Sequence, residues 1–173
     1  GPVAIVVPGA IFVVYTLLTK QFLYAVWNRW LLLGTLTAIL FALPWYIAAY
    51  LENGQYFLDT LIFNNMTRFK ATVSGHYQKW YFYPIVLAAG FLPWTIYLPK
   101  SIVQYVSGFR DGLKEKSLTF YLATFCIVWA AFIFIFFSVA KTKLLTYILP
   151  LFPAMAMFIG LYWHDSCLLY TSP

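Results

Sequence analysis

Five long apolar runs most strongly limit what this chain can fold into. Each approaches the roughly 20 helical residues needed to cross a hydrocarbon core about 30 Å thick, where a helix satisfies its backbone groups internally. The sequence therefore predicts an all-α fold, a polytopic transmembrane helical bundle with about five spans. The expected spans are Val3 to Leu18, Trp30 to Tyr50, Phe82 to Pro99, Leu118 to Val139 and Leu144 to Trp163.

The composition excludes a water-soluble fold. Of the 173 residues, 63% are hydrophobic and only 9% are charged, and the mean hydropathy is +0.79. The net charge of +6 comes from basic residues that are scattered between the apolar runs. Because they form no basic face, we expect no nucleic-acid partner. Cys126 and Cys167 have no partner at the spacing of a metal or redox motif.

Polar segments divide the chain. Residues 1–164 form the expected transmembrane portion, with a polar loop at 51–81 that is placed outside the membrane and a short basic hinge at 140–147. We expect an internal piece of a longer protein, because the sequence opens without Met directly in an apolar run. The tail at 165–173 continues no pattern, and its origin is doubtful.

The segments between the spans have their own patterns. Apolar residues from Tyr56 to Phe63 fall near helical spacing, which predicts an amphipathic helix on the membrane surface. Residues 100–117 are the most soluble-looking stretch, and we interpret them as a link in which Gly108 and Gly112 mark turns. Prolines are expected to bend the third span and to break the start of the fifth.

Alternation of the crossings places the polar loop and the basic hinge on one side of the membrane. Lys20 and the link at 100–117 then lie on the other side. Five basic residues on the first side face six on the second, so the positive-inside rule is nearly balanced. If the charges of the polar loop are functional, the second side is cytoplasmic.

A set of hydrogen-bond donors is predicted at the loop side of the membrane. Arg68, Lys141 and Lys143 lie at this face, and Tyr147 follows about one turn inside. Guanidinium, ammonium and phenol groups suit a phosphate, which at this depth would belong to a lipid. Two plainer interpretations stay open. The lysines could anchor the helix ends at lipid headgroups, and Arg68 could pair with an acidic residue of the polar loop.

Other candidates lie in and after the polar loop. His76 is either a metal ligand or general base, or an ordinary loop residue. Trp80 and Tyr83 belong to an aromatic group that either lines a sugar or prenyl pocket or forms an interfacial belt. Glu52 and Asp59 are about two helical turns apart, without any further sign of a carboxylate pair. No P-loop, dinucleotide-binding or nucleophile-elbow motif supports nucleotide chemistry of the soluble type.

Three motifs together resemble a known family. They read NNMTRF, GHYQKWYFYPIVLAAGFLPW and FFSVAKTKLLTYILPLFPAMA. They are similar to membrane-embedded GT-C type glycosyltransferases that use polyprenyl-phosphate sugars. This superfamily includes the protein O-mannosyltransferases and the bacterial aminoarabinose transferases that modify lipid A. The resemblance extends from Gly1 to about Gly160.

The resemblance implies an inverting transfer of a sugar from a polyprenyl-phosphate carrier to lipid A, a protein or a glycan. The expected place is the periplasmic face of a bacterial inner membrane, among membrane lipids. It implies that Arg68 and Tyr147 hold the carrier phosphate, with Lys141 and Lys143 nearby. The family's catalytic carboxylate lies in the first external loop. We expect that loop upstream of this sequence, so the fragment itself should be inactive.

No cofactor is assigned from the resemblance. Relatives often carry a His just before the Arg-Phe pair, where this sequence has Asn64 and Asn65, so no metal site is carried over and a divalent metal is left open. Two rival functions also stay open: a transporter or flippase of lipid-linked sugars, and a non-catalytic membrane scaffold whose polar loop binds a partner.

Overall fold

A computed structural model describes residues 3–63 and 78–171 of the chain, so Arg68 and His76 lie outside the described residues. The described part is predominantly helical, as the sequence predicts. Its α-helices are α1 (Val3–Leu18), α2 (Phe22–Val26), α3 (Arg29–Asn53), α4 (Gln55–Ile62), α5 (Phe82–Gly90), α6 (Leu98–Glu115), α7 (Leu118–Val139) and α8 (Leu151–Thr171). Two 3₁₀ turns, Trp94–Tyr97 and Leu145–Ile148, precede α6 and α8.

The transmembrane character of the chain is confirmed. In the described ranges, three helical segments are long and apolar enough to cross a membrane: Arg29–Asn53, Leu118–Val139 and Leu145–Ser166. A fourth crossing exists if α5 and the following helix are one bent span. The first expected span is α1, an apolar helix of 16 residues.

The chain divides into two compact units, Gly1–Ser74 and Gly75–Pro173. In the first unit, the Asn28 side chain caps α3 by accepting a hydrogen bond from the Trp30 amide at 2.9 Å. Gly54, with φ of 52°, allows the sharp turn from α3 into α4. The Phe57 ring then packs edge-on against Trp45 at 5.9 Å between ring centroids. The predicted helix in the polar loop is thus present as α4.

The second unit contains a strong bend and one helix that the sequence did not indicate. The axis turns by 108° between α5 and the helical segment Trp94–Glu115, so the predicted bend of the third span is confirmed. The turns expected at Gly108 and Gly112 are wrong, because both residues lie inside α6. There, close packing outweighs the low helix propensity of glycine: a Cβ at Gly112 would overlap the Phe120 ring.

Helices α7 and α8 pack together as the centre of the second unit. Ser117 caps α7 by accepting from the Phe120 amide at 3.2 Å, and the helix has the bounds that its uninterrupted apolar run predicts. Ala123 and Cys126 of α7 are buried against Phe158 of α8. Because α7 and α8 are joined by a short hinge, this contact makes them antiparallel. The hinge therefore lies at the opposite end of α7 from Ser117.

Candidate functional site

The hinge between α7 and α8 has a defined backbone. Helix α7 ends at Val139, and Ala140 takes an extended conformation with ψ of 137°. The chain re-enters helix through the Leu145–Ile148 turn, and α8 begins at Leu151. Pro153 lies in the first turn of α8, where a missing backbone N–H costs no intrahelical hydrogen bond. The early break predicted for the fifth span is confirmed.

Two lysines of the hinge, two residues apart, have opposite surroundings. Lys143 is only 7% exposed, and its ammonium group donates to the carbonyl oxygen of Ala140 at 2.7 Å. Lys143 thus satisfies a carbonyl that the end of α7 leaves unpaired. Burial lowers the pKa of Lys143, because desolvation penalises the charged form. Lys141 is exposed, so its charge faces outward.

Tyr83 connects α5 to the hinge. Its side chain is completely buried, and its hydroxyl donates to the carbonyl oxygen of Leu144 at 3.0 Å, across 61 residues of sequence. The sequence offers Tyr83 as an aromatic lining of a substrate pocket. The structure places its ring inside the protein and gives its hydroxyl a backbone partner.

The side chain of Tyr147, in the hinge, is half-buried. Its ring packs against Phe137 of α7 with 5.0 Å between centroids. Two residues before the hinge, the Ser138 hydroxyl is buried, and it has no hydrogen-bond partner among the described residues. The hinge thus combines an exposed cation with phenol and hydroxyl groups at the same membrane face.

The structure brings Tyr83, Lys143 and Tyr147 together around this hinge, and Lys141 is part of it. Trp80 is not part of this group: it is 78% exposed and its ring contacts Tyr81 at 5.8 Å. Across residues 3–63 and 78–171, no group of three or more His, Cys, Asp and Glu side chains is arranged to hold a metal ion.

Two features of the site differ in how well the sequence predicts them. The pairing of Tyr83 with Leu144 leaves no trace in a single sequence, because the two residues are far apart along the chain. The inward position of Lys143 has a local signal: a lysine four residues beyond the end of a long apolar helix is within reach of the last free carbonyls. Lys141 is too close to that end to turn back in the same way.

The chain was compared with known proteins. No family model matches it. It is 35% identical over 164 residues to the undecaprenyl phosphate-alpha-4-amino-4-deoxy-L-arabinose arabinosyl transferase of Aeromonas hydrophila, with 92% of this chain and 27% of the relative covered. It is 32% identical over 169 residues to a Proteus mirabilis protein of the same description, with 95% and 28% covered. The chain therefore spans a little over a quarter of the length of these curated relatives.

A solved structure has the same fold over this section. The crystal structure of ArnT from Cupriavidus metallidurans bound to undecaprenyl phosphate superimposes with a TM-score of 0.73 at 27% identity. The match covers 92% of this chain and 27% of ArnT. This chain is thus similar, in sequence and in fold, to a section that makes up about a quarter of the length of the undecaprenyl-phosphate aminoarabinose transferases. The resemblance to membrane glycosyltransferases of the GT-C type is confirmed.

Proposed function

We propose that this chain is part of a membrane glycosyltransferase that transfers a sugar from a polyprenyl-phosphate carrier to an acceptor. The observation that carries the proposal is the likeness, in sequence and fold, to ArnT, whose crystal structure contains undecaprenyl phosphate. The names of the relatives make aminoarabinose the first sugar to test. Lipid A is the first acceptor to test, ahead of proteins and other glycans.

The hinge at residues 140–147 is the candidate site for the carrier phosphate. Lys141 offers an exposed ammonium group, and Tyr147 offers a phenol in the same segment. We infer that Lys141 makes the direct contact, since the ammonium group of Lys143 already donates to Ala140. Lys143 would then act by holding the end of α7 in place. Arg68 remains a candidate partner for the same phosphate on the strength of the family motif.

The proposed chemistry follows from the leaving group. When the sugar departs from the carrier, negative charge grows on the polyprenyl phosphate. A fixed cation that faces this charge stabilises the transition state more than the ground state. A hinge that is braced by buried groups keeps its cation in position without reorganisation. A carboxylate that activates the acceptor is expected in a part of the enzyme outside this sequence.

The same proposal fixes an orientation. We place the hinge at the periplasmic face of a bacterial inner membrane and the Ser117 end of α7 at the cytoplasmic face. Lys100, Arg110, Lys114 and Lys116 then lie in the cytoplasmic connection, where positive charge is favoured. This placement agrees with an undecaprenyl carrier whose sugar is presented outside the cytoplasm.

The test is sugar transfer by the full-length protein in membranes. Labelled aminoarabinose on undecaprenyl phosphate is supplied with lipid A, and wild type is compared with Lys141→Ala at matched expression. Removing one group that stabilises transition-state charge lowers kcat/KM by about a hundredfold. Lys141→Arg keeps the cation and should retain most of the activity.

Lys114→Ala is the matched control, because Lys114 is also an exposed lysine but lies at the other end of α7. It should transfer sugar at the wild-type rate. If Lys141→Ala and Lys114→Ala behave alike while wild type is active, the enzyme stands and the assigned phosphate contact is wrong. If wild type transfers no sugar from any polyprenyl-phosphate donor, a flippase becomes the better explanation.

A further inference from the structure

Helix α6 lies at the depth of one membrane surface. Helix α7 has 22 residues and is about 33 Å long at 1.5 Å per residue, which matches the thickness of the hydrocarbon core. Its two ends therefore lie at the two surfaces. Tyr105 of α6 donates from its hydroxyl to Oγ1 of Thr124 at 2.6 Å, and Phe109 packs on Phe120 with 5.3 Å between ring centroids. Both contacts fall within the first two turns of α7.

Aromatic side chains mark the same depth. Tyr97, just before α6, packs edge-on against Trp163 near the end of the fifth span, with 5.0 Å between ring centroids. The Trp94 ring lies next to the Tyr97 ring, with 6.5 Å between their centroids. Tryptophan and tyrosine concentrate at the headgroup level of membranes. Helix α6 therefore runs along the base of α7 and α8, at the boundary between lipid headgroups and acyl chains.

One flank of α6 presents apolar side chains that the described residues do not cover. Ser101, Tyr105 and Gly112 share the flank that packs on α7 and α8, which is shown by the burial of Ser101 and by the contacts of the other two. On the side of the helix that points away from this packing flank, Val103 and Val106 are 67% and 62% exposed. Exposed valines at headgroup depth gain free energy by entering the acyl region.

The charged residues of α6 lie along this apolar flank and next to it. At 3.6 residues per turn, Arg110 and Lys114 follow Val103 along one stripe, and Lys100 lies one turn before it; all three cations are exposed. Asp111 and Glu115 lie further round the helix, where they line a cavity of about 300 Å³ together with Asp165. The cations thus lie along the apolar flank, and Asp111 forms an exposed ion pair with Lys114, with 3.6 Å between the carboxylate oxygen and the ammonium nitrogen.

We propose that α6 is a docking surface for anionic phospholipid. Val103 and Val106 enter the acyl boundary, while Lys100, Arg110 and Lys114 extend along the surface to the phosphates of the headgroups. An uncharged lipid would satisfy the valines but not the cations, and an acidic protein partner would satisfy the cations but not the valines at this depth. This proposal is independent of the sugar-transfer reaction and of which face is cytoplasmic.

The test uses the full-length protein with a photo-crosslinking amino acid at position 106. The protein is reconstituted in vesicles of phosphatidylcholine, alone or mixed with phosphatidylglycerol, and the adducts are identified by mass spectrometry. We expect phospholipid adducts, with phosphatidylglycerol enriched above its share of the vesicle. Added salt should lower the enrichment. A crosslinker at position 115, where Glu115 lines the cavity with Asp165, is the matched control and should give few lipid adducts.

Charge variants separate the two parts of the proposal. Lys100→Gln, Arg110→Gln and Lys114→Gln should each lower the enrichment of phosphatidylglycerol by up to about fivefold, while lipid adducts at position 106 persist. Lys100→Arg and Lys114→Arg should keep the enrichment. If position 106 crosslinks to another protein segment, α6 is an internal packing surface and the proposal fails. Lipid adducts without any headgroup preference would refute the anionic specificity.

Discussion

Lys141 and Lys143 show that two lysines in the same hinge can have opposite surroundings and different roles. Because both lysines lie at the same membrane face, the sequence predicts that both donate hydrogen bonds to a phosphate. The structure separates them: Lys141 is exposed, whereas Lys143 is 7% exposed and caps Ala140. A basic residue at a helix end can thus either bind a ligand or cap the free carbonyls of the helix.

The lowered pKa of Lys143 gives a first prediction. The folded state binds fewer protons than the unfolded state between the lowered pKa and the ordinary value of 10.5. The stability of the folded state therefore rises with pH across that window. Lys143→Met lacks this titration, so the Tm difference between wild type and variant should move in favour of wild type as pH increases. Thermal unfolding of the purified full-length protein over a pH series measures it. A constant difference would contradict the burial of this lysine.

The hydrogen bond between Tyr83 and Leu144 gives a second prediction. Tyr83→Phe keeps the buried ring but removes the donor, and the loss of one such bond lowers the free energy of unfolding by about 1 kcal/mol. Amide hydrogen exchange should become faster in residues 140–147, because the hinge loses its connection to α5. If the hinge binds the carrier as proposed, the KM for the donor also rises.

Tyr81→Phe is the control for this substitution, since Tyr81 is 40% exposed and its ring rather than its hydroxyl contacts Trp80. Unchanged hinge exchange in Tyr83→Phe would show that the bond does not brace the hinge. Faster exchange with an unchanged KM would keep the brace and count against phosphate binding at the hinge. The structural role and the proposed function are thereby measured separately.

At the scale of elements, the sequence predicts best where one physical effect dominates. Helix α7 has the predicted bounds because an apolar run without Pro or charge is closed at its start by the Ser117 cap. The break before α8 follows from Pro150 and Pro153. Helix α6 was missed because its polar composition and two glycines resemble a loop. Only the tertiary contact between Gly112 and Phe120 explains why a helix with glycine is favoured there.

The two glycines of α6 give a third prediction, in which one serves as the control for the other. A Cβ at Gly112 would overlap the Phe120 ring, whereas a Cβ at Gly108 meets open space. Gly112→Ala should destabilise the protein by about 1–3 kcal/mol through overpacking. Gly108→Ala should stabilise it by up to about 1 kcal/mol through helix propensity. Thermal unfolding of both variants measures the contrast.

A second substitution checks the cause of the Gly112 effect. Phe120→Leu removes part of the ring that the new methyl group would strike, so the double variant should be less destabilised than the sum of the two single variants. Additive effects would mean that α6 and α7 do not meet at this point.

At the scale of the whole molecule, composition and run length are enough for the fold class but not for the site. An all-α membrane fold follows from the apolar runs, and the comparison with ArnT agrees. The arrangement of the hinge does not follow, since it depends on Tyr83 meeting a carbonyl 61 residues later. Arg68 and His76 lie outside the described residues, so their proposed roles rest on the sequence.

The proposed orientation gives a fourth prediction. Leu145→Cys, at a hinge position that is 60% exposed, should react with a membrane-impermeant thiol reagent that is added to the outside of intact spheroplasts. Lys114→Cys should react only after the membrane is opened. The unsubstituted protein supplies the background, to which the buried Cys126 contributes little. Labelling of both positions from one side would contradict the antiparallel crossing of α7 and α8.

The hydrogen bond between Tyr83 and Leu144 also sets an order of events during biosynthesis. Tyr83 leaves the ribosome 61 residues before its partner, and all of α7 is made between the two. The hinge can be braced only after α7 has crossed the bilayer and returned the chain to the face where α5 begins. A nascent chain that stops within α7 therefore carries an inserted α5 without a completed hinge, and assembly of the candidate site is coupled to insertion of that helix.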